Sequence, residues 1–288
     1  MPNHSAGVVV ISSDELEGNG EINKPGVFFS WGDYEHHYLA EGDSWFSLSD
    51  ILSPSFLYRF GRYVPLNKST LIVNCAYPGD TLANMVDWSK NFNFPKLLRE
   101  RNFGWEWDGI LLSAGGNDII NAALSPVGIL KSCANPAGPS DFVDSAALTI
   151  FENHLRDYFG YFIRVRDTSE ISANRNIPIY YHTYGYPTPR NVPASLGVGP
   201  WLYAAFTQKN IPQQYWQRLS DLLMDELARI IRSFGNLGAN LNLVDTLANV
   251  SLERAAAGST SSSGDWLNEI HLNNSGKDKV ARYWGTFL

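Results

Sequence analysis

Five short apolar runs along the chain predict the strands of a β-sheet. They are Tyr38–Ala40, Leu71–Ala76, Trp107–Ser113, Ile177–Thr183 and Asn242–Asp245. Most of these runs are apolar on both faces, and stretches with helical periodicity separate them. Strands that are buried on both faces are typical of a parallel sheet covered by helices on each side. The pattern therefore predicts an α/β fold.

Four further stretches have the apolar spacing of amphipathic helices. They are a first helix capped by Asp80 and Thr81 that carries Leu82, Met85, Val86 and Trp88, then Asp144–Val165, Gln214–Phe234 and Asn274–Tyr283. The segments 125–140 and 187–212 are predicted to be loops, the second one long and apolar. Residues 1–32 are predicted to form an arm with one short β-like piece, Gly7–Ser12, and residues 33–288 a single domain.

Composition narrows the classes of function. With 288 residues, of which 44% are hydrophobic and 18% charged, the chain can bury a full core. The net charge of -7 and the lack of Lys/Arg clusters argue against a nucleic-acid partner. No apolar run approaches the ~20 residues that an integral membrane segment needs. The first residues lack the basic region of a signal peptide, so a cytoplasmic location is expected, although export without a leader would leave no trace.

Metal and disulfide sites are not indicated by the sequence. Cys75 and Cys133 are far apart and have no CxxC spacing. His36 and His37 are adjacent on a strand, where neighbouring side chains point to opposite faces. We therefore expect no metal and no cofactor, and the oligomeric state is not indicated.

The first candidate for chemistry is Ser44, in the sequence Gly42-Asp43-Ser44 directly after the first predicted strand. Open α/β sheets bind their ligands at the carboxyl ends of the strands, where this hydroxyl would lie. Taken alone, such a tripeptide is also a common turn. The residues that follow the next two strands decide between the two interpretations.

Those residues can supply an oxyanion hole. Acyl transfer turns a carbonyl oxygen into an oxyanion, which needs fixed hydrogen-bond donors. Gly79, after the second strand, offers a backbone N–H that a ligand can approach closely, and Asn117, after the third strand, offers a side-chain amide. The Ser44 N–H would be a third donor. A general base would come from His271, just before the last predicted helix.

Together these residues resemble the four sequence blocks of the GDSL-type SGNH hydrolases. The blocks are Gly42-Asp43-Ser44, the turn from Asn74 through Ala76 to Gly79, Gly115-Gly116-Asn117-Asp118, and the histidine near the C-terminus, in the order of the family. The resemblance covers Tyr38 to the C-terminus. It implies Ser44 as nucleophile, His271 as general base, and the N–H groups of Ser44 and Gly79 with the Asn117 amide as oxyanion hole. It also implies a three-layer α/β/α sandwich with a five-stranded parallel sheet of order 2-1-3-4-5.

The chain departs from the family pattern three residues before the histidine. The family usually has an aspartate there, and this chain has Asn268. An amide oxygen can still accept the imidazole N–H, but it adds no negative charge. Asp265, six residues before His271, is the nearest aspartate and would reach it only if the turn folds back. We expect Asn268, or a backbone carbonyl, to orient His271 rather than Asp265.

The leading hypothesis is a serine esterase that cleaves lipid or short acyl esters, with thioesters and acetylated sugars left open. Its partner would be a small-molecule ester or lipid. His182, Trp201 and Phe206 are candidates for the substrate pocket, with packing in the core as the alternative. The absence of a Gly-x-Ser-x-Gly elbow counts against an α/β-hydrolase. The alternative function is a binding module of the same fold whose catalysis has weakened with Asn268.

Overall fold

A six-stranded parallel sheet forms the centre of the computed structural model, which describes residues 7–24, 26–27, 30–47, 55–63, 69–194 and 198–288. The strands are β1 (Val8–Ser12), β2 (His36–Gly42), β3 (Thr70–Asn74), β4 (Gly109–Ser113), β5 (Ile179–His182) and β6 (Leu241–Val244). Their order across the sheet is β1-β3-β2-β4-β5-β6, and every neighbouring pair is parallel. All five residues of β3 and of β4 are buried, as apolar runs on both faces predict.

The predicted number of five strands is wrong by one. Strands β2 to β6 have the order 2-1-3-4-5, as expected. The sixth strand, β1, pairs with β3 from Val8 opposite Thr70 to Ser12 opposite Asn74. Its run of valine and isoleucine favours a β-strand. Its partner β3 lies about sixty residues later in the chain, so the local sequence does not encode this pairing. The boundary between an arm over 1–32 and a domain over 33–288 stays a prediction, with β1 lying in the same sheet as the rest.

Helices cover the sheet on both faces. They are α1 (Leu82–Met85), α2 (Asn93–Arg99), α3 (Gly116–Leu124), α4 (Ser145–Asp167), α5 (Leu202–Gln208), α6 (Trp216–Ser233), α7 (Thr246–Asn249) and α8 (Asn274–Trp284). The long helix α4 contacts α1, α2, α3 and α6, whereas α8 contacts α7 and the 3₁₀ helix Phe56–Arg62. The three-layer α/β/α architecture expected from the sequence is therefore the observed one.

The long helices lie close to their predicted positions. Asp144 caps α4, because its carboxylate accepts the N–H groups of Ala146 and Ala147 at 3.0 Å each. The shorter elements differ from the predictions in three places. The first helix ends at Met85 rather than running to Trp88, α5 lies in the segment 187–212 that was expected to be irregular, and α3, which follows β4, was not among the predicted helices. No helix among the described residues is long and apolar enough to cross a membrane.

Candidate active site

Ser44 lies in a tight turn at the end of β2. Gly42 lies so close to β4 that a Cβ atom there would be 2.8 Å from Ser113 O, which only glycine allows. The Asp43 N–H donates to Ser113 O at 3.0 Å, and the Phe46 N–H donates to Asp43 O at 3.0 Å. These bonds join the turn to β4 and close it, so the part-buried Ser44 has a fixed position at the sheet edge.

The buried Asp43 side chain forms hydrogen bonds that hold this turn in place. It is 1% exposed and accepts hydrogen bonds from Tyr184 Oη at 2.5 Å, Ser113 Oγ at 2.8 Å and the Trp45 N–H at 3.0 Å. Burial raises the pKa of Asp43 to about 6, although these three hydrogen bonds favour the charged form. Asp43 is therefore a buried support of the nucleophile turn.

His271 contacts Ser44 directly. Its Nε2 atom lies 2.8 Å from Ser44 Oγ, and its Nδ1 atom lies 3.0 Å from Asn268 Oδ1. The two residues are 227 positions apart in the chain, and the loop before α8 brings them together. A hydroxyl, an imidazole and an oriented acceptor in hydrogen-bond reach form the arrangement of an activated nucleophile.

The hydrogen bonds to Asn268 determine which imidazole nitrogen carries the proton. The N–H groups of Ile270 and His271 donate to Asn268 Oδ1 at 3.1 and 2.9 Å. Because backbone donors converge on this atom, it must be the amide oxygen, and His271 Nδ1 must be the donor to it. The lone pair of a neutral His271 is then on Nε2 and faces the Ser44 hydroxyl.

Asp265 is occupied elsewhere. Its carboxylate accepts a hydrogen bond from Lys279 Nζ at 2.5 Å and one from the Glu253 N–H at 2.6 Å. The side chain is 1% exposed and ties the loop before α8 to the segment after α7. This geometry favours Asn268 over Asp265 as the residue that orients His271.

Two charged residues that were not predicted from the sequence hold the Asn268 loop in place. The first is Arg190, 2% exposed, whose guanidinium donates to Asn268 O at 2.6 Å and to Trp266 O at 3.4 Å. A buried guanidinium presents several donors in a rigid plane, so it fixes the backbone on both sides of Leu267. Nothing local in the sequence around Arg190 indicates this role.

The second is Glu269, which is fully buried next to Asn268. Its carboxylate accepts the backbone N–H groups of Trp201, Leu202 and Tyr203 at 2.5, 3.0 and 2.7 Å, and that of Arg190 at 3.2 Å. Burial raises its pKa to about 7, although these four hydrogen bonds favour the charged form. Glu269 thus holds the start of α5 against the histidine loop. The sequence signal that could have indicated this role is an acidic residue between apolar ones in the stretch Trp266–Ile270.

The turn that contains Gly79 lies beside the end of β2. The Tyr77 N–H donates to Gly42 O at 3.0 Å, which fixes this proximity. Gly79 has φ = 84°, in the left-handed region that favours glycine. In the part of the chain that the structure describes, the Gly79 N–H donates to no protein acceptor and remains available to a ligand. Gly79 itself lines neither of the cavities described below.

Asn117 lies in the first turn of α3, directly after β4. Its Nδ2 group donates one hydrogen to Asp80 O at 3.0 Å, which orients the amide and leaves a second N–H for a ligand. Gly116 permits the close approach of Tyr184, since a Cβ atom there would be 2.9 Å from the tyrosine ring. Asn117 lines a cavity together with Ser44, as an oxyanion donor must.

Two of the three residues predicted for the substrate pocket are buried and line neither cavity described below. His182 is 1% exposed, packs among aromatic rings and lies between Ser113 Oγ (2.9 Å) and Thr183 O (2.8 Å). Burial lowers its pKa to about 4. Phe206 is fully buried on α5. Packing in the core, the alternative considered for these side chains, describes the positions of both, and His182 also has hydrogen-bond partners on both ring nitrogens.

The third residue, Trp201, lies beside the candidate catalytic pair. Its ring packs edge-on against the His271 ring with 5.5 Å between centroids. The Trp201 N–H is held by Glu269, so the same loop that carries His271 also positions this ring. Trp201 therefore contacts the histidine rather than lining either cavity.

Two cavities meet at Ser44, and Trp45 lines both. The large cavity has a volume of about 750 Å³ and is lined by Asn268 and His271. The small cavity has a volume of about 40 Å³ and is lined by Asn117. Among the described residues, no cluster of three or more His, Cys, Asp or Glu side chains could hold a metal ion.

No family model matches this chain, and no curated protein matches it. Solved structures do match. A lipase from a goat rumen metagenome is 13% identical, with 87% of this chain and 96% of that chain covered and a TM-score of 0.53. A protein described as a "possible lipase" from Chitinophaga pinensis is 14% identical, with 88% and 97% covered and a TM-score of 0.52.

At such low identity these two similarities are findings about the fold. They agree with the parallel sheet of order 2-1-3-4-5 and with helices on both faces. Three of the four sequence blocks lie at the carboxyl ends of β2, β3 and β4, and the fourth supplies His271, which contacts Ser44. This chain shares its fold with these two proteins, and its strands β2 to β6 have the order that the resemblance to the SGNH hydrolases implies.

Proposed function

We propose that this chain is a serine carboxylic ester hydrolase. The observation that carries the proposal is the 2.8 Å distance between Ser44 Oγ and His271 Nε2, with Nδ1 held at 3.0 Å by Asn268. A hydroxyl is a weak nucleophile until a base takes its proton, and neutral His271, with its proton on Nδ1, presents the free lone pair of Nε2 to do so. The esterase hypothesis from the sequence rests on the same residues.

In the acylation step, Ser44 Oγ attacks the carbonyl carbon of the ester while its proton passes to His271 Nε2. The carbonyl oxygen gains negative charge, which the Ser44 and Gly79 N–H groups and the Asn117 amide would stabilise. The tetrahedral intermediate collapses, the bond to the leaving alcohol breaks, and His271 gives the proton to the alcohol oxygen. Water then repeats the sequence on the acyl-enzyme and releases the acid.

Asn268 orients the base without a charge. In a serine-protease triad the change of aspartate to asparagine costs ~10⁴ in rate, largely because the histidine adopts the wrong tautomer. Here Asn268 Oδ1 receives two backbone N–H groups and therefore stays an acceptor toward His271 Nδ1. The productive tautomer is kept, so the cost is limited to the missing electrostatic stabilisation of the imidazolium.

The alternative is a binding module with the same fold and little or no catalysis. It is favoured by Asn268 in place of the usual aspartate. Against it, the Ser44 and His271 contact is intact, and a cavity of about 40 Å³ remains open between Ser44 and Asn117. If the chain had no catalytic activity, there would be no reason for it to keep the Ser44–His271 contact or the open cavity.

The test is hydrolysis of a chromogenic ester series from two to sixteen carbons by the full chain and by Ser44→Ala. Ser89→Ala, which removes an exposed hydroxyl, is the matched control. We expect turnover by the parent and by Ser89→Ala, and none above background by Ser44→Ala. If every ester is inert while both proteins are folded, the binding-module alternative takes precedence. If Ser44→Ala remains active, Ser44 is not the nucleophile and the proposal is wrong.

A further inference from the structure

The two cavities at Ser44 differ in size and in the site residues that line them. Both reach the nucleophile, since Ser44 and Trp45 line each one. The large cavity, with His271 and Asn268 in its wall, measures about 750 Å³. The small cavity, with Asn117 in its wall, measures about 40 Å³. An ester has two parts on either side of its carbonyl carbon, and the geometry assigns one part to each cavity.

The leaving alcohol belongs in the large cavity. The general acid must reach the alcohol oxygen when the carbon–oxygen bond breaks, and His271 lines the large cavity but not the small one. The acyl group belongs in the small cavity. Its carbonyl oxygen must reach the Asn117 amide, which lines the small cavity but not the large one.

The small cavity limits the length of the acyl chain. About 10–15 Å³ of cavity volume holds one water-sized group, so about 40 Å³ has room for about three of them. Ile120, Met224 and Trp266 are among its wall residues and are only 4%, 6% and 1% exposed. Buried side chains in a packed core yield little to an extra methylene group. The acyl groups that fit have one to three carbons beyond the carbonyl.

The large cavity accepts a bulky alcohol. Its volume lies within the range of about 300–1,000 Å³ that is usual for small-molecule sites. Its wall combines apolar surface, such as Phe56 and Leu267, with hydroxyl and amide side chains, such as Ser262 and Asn274. A large alcohol therefore finds both contact area and hydrogen-bond partners there.

We propose that the substrates are short-chain esters, from acetyl to butyryl, of bulky alcohols. This inference rests on the proposed ester hydrolase function. In the reaction, the bond between Ser44 Oγ and the short acyl carbon forms in the small cavity. The bond to the alcohol oxygen breaks, and the proton from Ser44 reaches that oxygen through His271. Water then releases the short acid and restores Ser44.

Octyl acetate and ethyl octanoate give the sharpest test, because they are isomers with the same composition and with primary alcohols as leaving groups. They differ in which side of the carbonyl is long. We expect the full chain to hydrolyse octyl acetate with a kcat/KM about 100-fold above that for ethyl octanoate, because overfilling a packed pocket is strongly unfavourable. Equal rates, or a preference for ethyl octanoate, would overturn the proposal.

Variants of the small-cavity wall test whether its residues limit the length of the acyl chain. Ile120→Ala and Met224→Ala, made separately in case one does not fold, are each expected to raise kcat/KM for ethyl octanoate at least about tenfold relative to octyl acetate. Ile150→Ala removes the same atoms from a side chain that is 70% exposed and should leave the ratio unchanged. An unchanged ratio in both folded wall variants contradicts the assignment of the small cavity.

Different results would contradict the proposed ester hydrolase function and the assignment of the two cavities. If p-nitrophenyl acetate and both isomers are inert, or are cleaved equally well by Ser44→Ala, the ester hydrolase itself is wrong. If p-nitrophenyl acetate is cleaved in a Ser44-dependent manner but octyl acetate is not, the hydrolase stands and the assignment of the large cavity to the alcohol is wrong.

Discussion

Asn268 Oδ1 lies 3.0 Å from His271 Nδ1 and also accepts the backbone N–H of His271 at 2.9 Å. The second bond prevents the amide from turning its nitrogen toward the ring. Asn268 therefore selects the tautomer in which His271 Nε2 can take the Ser44 proton, although it carries no charge. An aspartate at this position usually both orients the base and stabilises the imidazolium by its charge. In this site Asn268 orients the base but supplies no charge.

Because Asn268 orients His271 without a charge, Asn268→Asp should increase kcat. The carboxylate can accept the same N–H groups and adds a negative charge next to the imidazolium that forms during acylation. We expect kcat to rise about tenfold, since one unit of pKa corresponds to a factor of ten. The acidic limb of the pH–rate profile should move to higher pH. Asn268→Ala should instead lower kcat by about 10² or more.

The control for added charge is Asn236→Asp, because Asn236 is exposed. It should leave kcat and the pH–rate profile unchanged. A lower kcat in Asn268→Asp, without a shift of the acidic limb, would show that Asn268 does not act through His271.

Asp265→Ala should affect stability and spare the chemistry. The carboxylate bonds Lys279 and the Glu253 N–H, not the catalytic histidine. Its loss leaves the part-buried Glu253 N–H without this acceptor and removes the ion pair with Lys279, so the free energy of unfolding should fall by about 1 kcal/mol. We expect kcat at a temperature where the variant is folded to stay within about threefold of the parent value. Urea unfolding and steady-state kinetics on the same preparation measure both, and a loss of kcat as large as that of His271→Ala would refute the prediction.

Asn117→Ala tests the oxyanion hole. Loss of one donor typically lowers kcat by ~10²–10³ because the donor acts on charge that develops only in the transition state. KM should change little. Asn121→Ala, on the same helix α3 but exposed, is the matched control. If Asn117→Ala raises KM and leaves kcat intact, the amide binds substrate in its ground state instead.

Asp118 makes stability depend on pH. It is 5% exposed, and burial raises its pKa from 3.8 to about 7 although the Leu82 N–H donates to it. The folded chain thus binds this proton more tightly than the unfolded chain, so Asp118 lowers the free energy of unfolding as pH rises from about 4 to about 7. His182, whose pKa burial lowers to about 4, has the opposite effect between pH 4 and 6.5.

Asp118→Asn separates the two contributions. The variant keeps an acceptor for Leu82 and has no charge to bury, so its stability relative to the parent should increase from pH 5 to pH 8. Asp157→Asn, at an exposed position of α4, should show no such trend. Urea unfolding at the two pH values measures the difference, and a constant difference would contradict the burial argument.

The parts of the site that the sequence predicted are those that local patterns encode. Ser44, Gly79 and Asn117 follow apolar runs, and parallel strands place their carboxyl ends at one edge of the sheet, so proximity follows from the strand order. Asn268 and His271 are three residues apart, and their contact needs only one turn of the loop.

The parts that were missed depend on long-range contacts. The start of α5 has no cap of its own, and its N–H groups are satisfied by Glu269, more than sixty residues later. The burial of His182 depends on rings from distant segments, among them Phe46 and Trp284. The pairing of β1 with β3 likewise joins residues about sixty positions apart. No periodicity within a local window encodes such partners.

We propose Ser44 as a nucleophile that His271 activates. The most direct measurement is the site of covalent labelling by a serine-reactive fluorophosphonate, read by intact mass and peptide mapping. We expect one adduct, on Ser44, formed at least about 10²-fold more slowly in His271→Ala, since the base must take the hydroxyl proton. No adduct on the folded protein, an adduct on another residue, or equal labelling rates with and without His271 would contradict it.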